Sequence, residues 1–95
     1  MESRLQELTR ARQALKKEKT RAQNRLDEAE DKAVRKAHEN LLDEIERQIE
    51  DLEEEIEEHI EEDSELNDRC SLLETIPGVG LQTAAIVVSE LGAPE

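Results

Sequence analysis

The residues best placed to do chemistry sit in one string near the C-terminus, Leu72-Leu73-Glu74-Thr75-Ile76-Pro77-Gly78-Val79-Gly80-Leu81-Gln82-Thr83-Ala84-Ala85-Ile86-Val87-Val88. It reads as a helix, a tight Pro-Gly-Val-Gly hairpin and a second helix. Glycine adopts backbone conformations closed to other residues, and its missing side chain lets a phosphate approach main-chain N–H groups. The following helix adds an N-terminus, whose dipole favours an anion. The chemistry on offer is therefore anion binding, in the manner of a helix-hairpin-helix clamp on a nucleic-acid backbone. Gly78, Val79 and Gly80 are the candidate amide donors and Thr83 a candidate hydroxyl contact. Contacts of this kind position DNA without reading its sequence. An ordinary helix-helix turn, in which the glycines serve packing alone, stays open beside this reading. Leu81 and Gln82 stand where a basic residue is usual, and residues 71–95 contain no Lys or Arg.

A second set of candidates is cationic. Residues 1–26 hold eight Lys/Arg against three Asp/Glu, a net +5, and Arg12, Lys16, Lys19, Arg21 and Arg25 form a basic arm suited to a phosphate backbone. Residues 39–65 hold one Arg against fifteen acids, a net −14, so the arms are electrostatic complements. The acidic arm competes for the same cations, which favours a structural role for Arg12 and Lys19 in choosing partner and register. Glu55, His59, Glu62 and Asp63 lie within about a turn of one another, yet a single helix splays its carboxylates, so a solvated face is expected rather than a metal site. No cofactor is expected in this chain.

These groups need elements to hold them. From Met1 to Asp63 there is no Gly or Pro, and most residues are strong helix formers. With Leu5 as heptad position a, the a/d series reads Leu5, Leu8, Arg12, Leu15, Lys19, Ala22, Leu26, Ala29, Ala33. A second series, Leu42, Ile45, Ile49, Leu52, Ile56, His59, Asp63, Leu66, Cys70, Leu73, keeps the same spacing with larger side chains. Its members from Leu42 to His59 form the candidate oligomer seam. The two registers fail to join between Ala33 and Leu42, which marks a phase change or a reversal of the chain. Charge pairing favours a reversal, an antiparallel hairpin with arms at about 2–30 and 36–62, over one continuous helix. Residues 1–63 are thus expected to be coiled coil. Residues 64–95 then supply a short helix, about 65–74, capped by Asp63 and Ser64, and the hairpin string that opens another unit. The fold class is all-α.

Composition narrows the function classes. The 95 residues include no Phe, Trp or Tyr, 41% are charged and the formal net charge is −13, so thin aliphatic seams are expected in place of a thick core. That balance argues against nucleic acid gripping the whole length. The longest apolar stretch, Ala84 to Val88, is far short of the roughly 20 residues of a bilayer span. Cys70 stands alone and no apolar signal segment opens the chain, so no membrane partner, no disulfide and a cytoplasmic location are expected.

Three pieces of the sequence together resemble the bridge-RNA-guided insertion-sequence transposases. Thr20-Arg21-Ala22-Gln23-Asn24-Arg25-Leu26 resembles the basic close of that family's first coiled-coil helix. Leu52 to Leu66, ending in the Asp63-x-x-Leu66 pattern, resembles its second, and Leu73 to Gly92 resembles the opening of its C-terminal domain, which is the most specific piece. The resemblance implies a segment lying between a resolvase-like domain, where a divalent metal is expected, and a domain with a catalytic serine. Neither set of catalytic residues maps onto a position here, so the segment alone is expected to be inactive. DNA, guide RNA and a second copy through the coiled coil are the partners it implies. Two other readings compete. Repair glycosylases and nucleases use similar hairpins, but this chain lacks the Lys or Asp such enzymes place beyond the motif. A purely structural coiled coil with a packing turn is the other.

Overall fold

Helices in this chain begin and end where side chains can serve the backbone groups that a helix leaves unpaired. The computed structural model describes residues 3–91 and is all-α, as the periodicity implies, with no strand among the described residues. Helix α1 spans Arg4–Glu28, α2 Lys32–Glu62, α3 Ser64–Glu74 and α4 Leu81–Leu91. Ser3 and Gln6 form a reciprocal capping box at the start of α1 (Gln6 N–H to Ser3 Oγ 3.1 Å, Ser3 N–H to Gln6 Oε1 3.2 Å).

The chain reverses at residues 29–31 without glycine or proline. Ala29 turns extended while its N–H still bonds back to Arg25 and Leu26 carbonyls. Asp31 then caps α2 by accepting the Val34 N–H at 3.1 Å. Arg35, one turn into α2, donates from Nη1 to the carbonyls of Leu26 and Ala29 at 2.8 and 2.9 Å. Those carbonyls lie at the C-terminal end of α1, where the helix no longer supplies a full set of N–H donors, so one guanidinium fastens the second helix to the end of the first. The helices run antiparallel, with Arg4 on Glu55, Arg12 on Glu53 and Lys19 on Glu46 at 3.0, 2.8 and 3.4 Å. At about 1.5 Å per residue, the 31 residues of α2 account for most of the 51 Å long axis.

Between these helices the seam residues are buried or half-buried from Leu5 to Leu26 and from Leu42 to His59. They form two apolar clusters. Ala22, Leu26, Leu42, Ile45 and Ile49, with Leu15 against them, fill the half near the reversal. Leu5, Ile56, Ile60, Cys70, Ala84, Ala85 and Val88 fill the other end, where all four helices meet. Arg12 interrupts the seam between Leu8 of one cluster and Leu15 of the other.

Asp63 ends α2 and caps α3, accepting the N–H groups of Glu65 and Leu66 at 3.0 and 3.2 Å. The short helix then turns back at Ile76–Val79. Val79 N–H donates to Ile76 O at 3.1 Å, Pro77 occupies the second position and Gly78, with φ +87°, the third. This is a type II turn, whose third position favours glycine. Val79 and Leu81 pack back on the four-helix cluster, which fixes the turn to the core.

Truncating the centre of that cluster should be costly. Ile56 is 0% exposed, so Ile56→Ala is expected to destabilise the chain by about 3–4 kcal/mol, read as a shift of the urea unfolding midpoint at unchanged slope. Cys70 offers a pH test. Burial, with a smaller push from Glu74, raises its thiol above the ordinary value. The folded state favours the neutral thiol, so this stabilisation is complete below the unfolded pKa of about 8.5 and is lost as pH rises through the higher folded value. A disulfide reagent at pH about 8 should label Cys70 slowly in the native chain and quickly in urea.

Candidate functional site

The turn that precedes α4 gathers the glycine candidates, and the structure sorts them. Gly78, Gly80 and Thr83 are exposed, whereas Val79 is half-buried with its side chain in the core. Val79 must be removed from the amide donors, because its N–H is committed to Ile76 O within the turn. Gly80 begins α4, its carbonyl accepting the Ala84 N–H at 2.9 Å. The first-turn amides of Leu81, Gln82 and Thr83 follow it, and a helix leaves these without internal acceptors. The candidate anion-facing set is therefore Gly78, Gly80 and the first turn of α4, with the Thr83 hydroxyl beside them. A Cβ built on Gly80 meets nothing within 4 Å, and its φ lies outside the left-handed region. Gly78 needs its glycine for backbone reasons; Gly80 has none within the chain.

Helix α4 is held against the long helices by polar contacts that sequence reading missed. Thr9, 2% exposed, and Ser89, 2% exposed, meet at 3.2 Å between α1 and α4. Thr9 Oγ1 also lies 3.2 Å from Gln6 O, and Ser89 Oγ 2.8 Å from Ile86 O. Only two hydroxyl protons are available for these three contacts, so one hydroxyl donates across, the other donates to its own helix, and the remaining oxygen–oxygen contact carries no hydrogen. Beside them Arg10 grips Glu90 with two nitrogens, Nε to Oε2 at 3.3 Å and Nη2 to Oε1 at 3.2 Å. Gln82 Nε2 donates to the Glu53 carbonyl at 3.4 Å, while its own Oε1 is buried without a partner. The legible signal for this clasp is the small-residue face of α4, since Ala84, Ala85 and Ser89 let backbones approach closely.

Part of the basic arm is spent on the fold. Arg12, its side chain 11% exposed, bonds Glu53 across the seam, and Lys19 reaches Glu46. Arg21 pairs with Glu18 on its own helix at 2.9 Å. Lys16 is exposed beside Arg12 and Lys19, but Glu46, Glu50 and Glu53 line the same trough, so cations and carboxylates balance there. Arg25 is exposed in the last turn of α1. Thus Arg12 and Lys19 serve the fold, while Lys16, Arg21 and Arg25 face outward, as does the neighbouring Lys17.

The seam expected to join two copies closes within one chain. Leu42, Ile45, Ile49 and Ile56 are buried by packing with α1, α3 and α4, and Leu52 and His59 are half-buried. Ile60, 1% exposed, is a core residue that the heptad series passes over in favour of His59. Helix α2 there touches α3 and α4 as well as α1, so its apolar stripe widens beyond a/d positions. Among the described residues no group of three or more His, Cys, Asp or Glu side chains could hold a metal ion, and no helix is long and apolar enough to cross a membrane.

Arg12 and Arg21 should separate fold from surface. Removing Arg12 leaves the part-buried Glu53 carboxylate without its partner, so Arg12→Ala should cost about 1–2 kcal/mol of unfolding free energy. Arg21→Ala removes only an exposed pair and should stay within about 0.5 kcal/mol of the parent chain.

No known protein family, curated protein or solved structure matches the chain.

Proposed function

We propose that the chain is a linker region of a DNA transposase similar to the bridge-RNA-guided family, in which a long helical hairpin carries a turn that touches nucleic-acid backbone. The observation that carries this reading is Gly80. Its glycine is required neither by backbone conformation nor by a neighbouring atom, and it opens onto solvent at the start of α4. A missing side chain at such a place is useful to a ligand that must come close to the main chain, and the free amides of a helix N-terminus suit a phosphate. With no Lys or Arg from residue 70 to residue 91, the contact is short-range and weak by itself. It positions a backbone and selects no sequence. The outward cations Lys16, Arg21 and Arg25 lie on α1 as a second, salt-sensitive contact for DNA or guide RNA. Chemistry belongs to other parts of such a transposase, including its divalent metal, and this region is inactive alone. Because the α1–α2 seam is used internally, self-association through it is not part of the reading.

Gly80→Asp tests the turn with opposite effects on two measurements. Aspartate is a favoured helix N-cap, so stability should hold or rise by up to about 1 kcal/mol. Its carboxylate would also repel phosphate. Titration of labelled duplex DNA at low ionic strength should therefore show salt-sensitive binding by the parent chain and weaker binding by Gly80→Asp. Equal binding by the two proteins would reduce the turn to packing.

A further inference from the structure

Among the described residues five large apolar side chains are exposed, and three of them, Leu72 (71%), Ile76 (50%) and Leu91 (82%), belong to α3, α4 or the turn between them. The other two, Val34 and Leu41, lie on α2. Scattered apolar residues on a surface are ordinary, but a contiguous set marks an interaction site. Two of these three, Leu72 and Leu91, are contiguous: with half-buried Leu73 and Val87 and the buried Val88 they line an open groove between α3 and α4, with Arg69 at its edge. This groove shares no lining residue with the turn at Gly78–Gly80, so it is independent of the nucleic-acid reading.

Charge decides what fits. Glu65, one turn before Arg69, and Asp68, next to it, are both exposed, and just before them come the exposed Glu61, Glu62 and Asp63 at the end of α2. Arg69 itself is paired with Glu65 at 2.8 Å, and it is the one Lys or Arg between residues 58 and 74, against seven acids. The apolar groove thus adjoins a strongly acidic end. A second copy of this chain, itself at −13, would bring like charge to that end. The fold already contains the matching solution, because the basic amphipathic α1 lies along the acidic α2 through aliphatic contacts flanked by Arg4–Glu55, Arg12–Glu53 and Lys19–Glu46 pairs.

We infer that the α3–α4 groove docks a basic amphipathic helix from another polypeptide, its leucine-type side chains in the groove and its Lys or Arg residues over the Glu61–Asp68 end. Helix α3 has 11 residues, so about three turns of partner helix would cover it.

The full chain can be titrated against a labelled synthetic helix of about five turns with leucines on one face and lysines elsewhere. Two control peptides have the same leucines dispersed around the helix, or glutamate in place of lysine. Binding should be at least about tenfold tighter for the amphipathic lysine peptide than for either control. The double variant Leu72→Ser/Leu91→Ser should lose about tenfold in affinity with an unchanged unfolding midpoint, both side chains being exposed, while Leu41→Ser changes neither. Affinity unaltered in the double variant would mean attraction by charge alone and would overturn the proposal. So would a concentration-dependent dimer of the parent chain that the double variant abolishes, since the groove would then belong to a second copy.

Discussion

A chain with no aromatic side chain and two charged residues in every five has little apolar area to remove from water, and its architecture follows from where that area can be concentrated. Two helices alone provide a strip one side chain deep, as at Ala22, Leu26, Leu42, Ile45 and Ile49. Greater depth arises where α3 and α4 fold over the open end of the hairpin and enclose Ile56, Ile60 and Cys70. The change of character at Asp63 is therefore a change of element within a shared core. The turn at Ile76–Val79 is positioned because it is attached to the deepest packing in the molecule.

Charge acts on this frame mainly by selecting partners. The cross-helix pairs are mostly exposed and each contributes little to stability. Their arrangement still matters, since a basic arm beside an acidic one satisfies both, whereas the same arms paired with themselves would repel. The consequence for function is a cost. Cations that pair with Glu46 and Glu53 do not reach a phosphate, so Arg12 and Lys19 are removed from the basic arm while Lys16, Arg21 and Arg25 remain on its surface.

Much of this was legible in residue order. Absence of Gly and Pro, heptad spacing, Asp63 as a cap and Pro77-Gly78 as a turn are local signals, and local signals survive without knowledge of the fold. The reversal was less legible because Asp31 is an unremarkable cap and Arg35 acts on carbonyls six and nine residues earlier. Thr9, Ile60 and Ser89 were missed for a related reason. Each is buried by an element distant in sequence, so a two-helix heptad cannot anticipate them. The demotion of Val79 as an amide donor required the turn's own hydrogen bond, which spacing alone does not reveal.

The separation of the two apolar clusters has a mechanical meaning. Near Arg12 neither apolar cluster continues, and the Arg12–Glu53 ion pair spans the gap; an ionic contact tolerates small changes in spacing and angle better than interlocked aliphatic side chains do. Compliance is therefore concentrated partway along the hairpin, between a rigid four-helix end and a rigid reversal. Bending at that level would swing the tip through a wide arc while leaving the α4 turn in place.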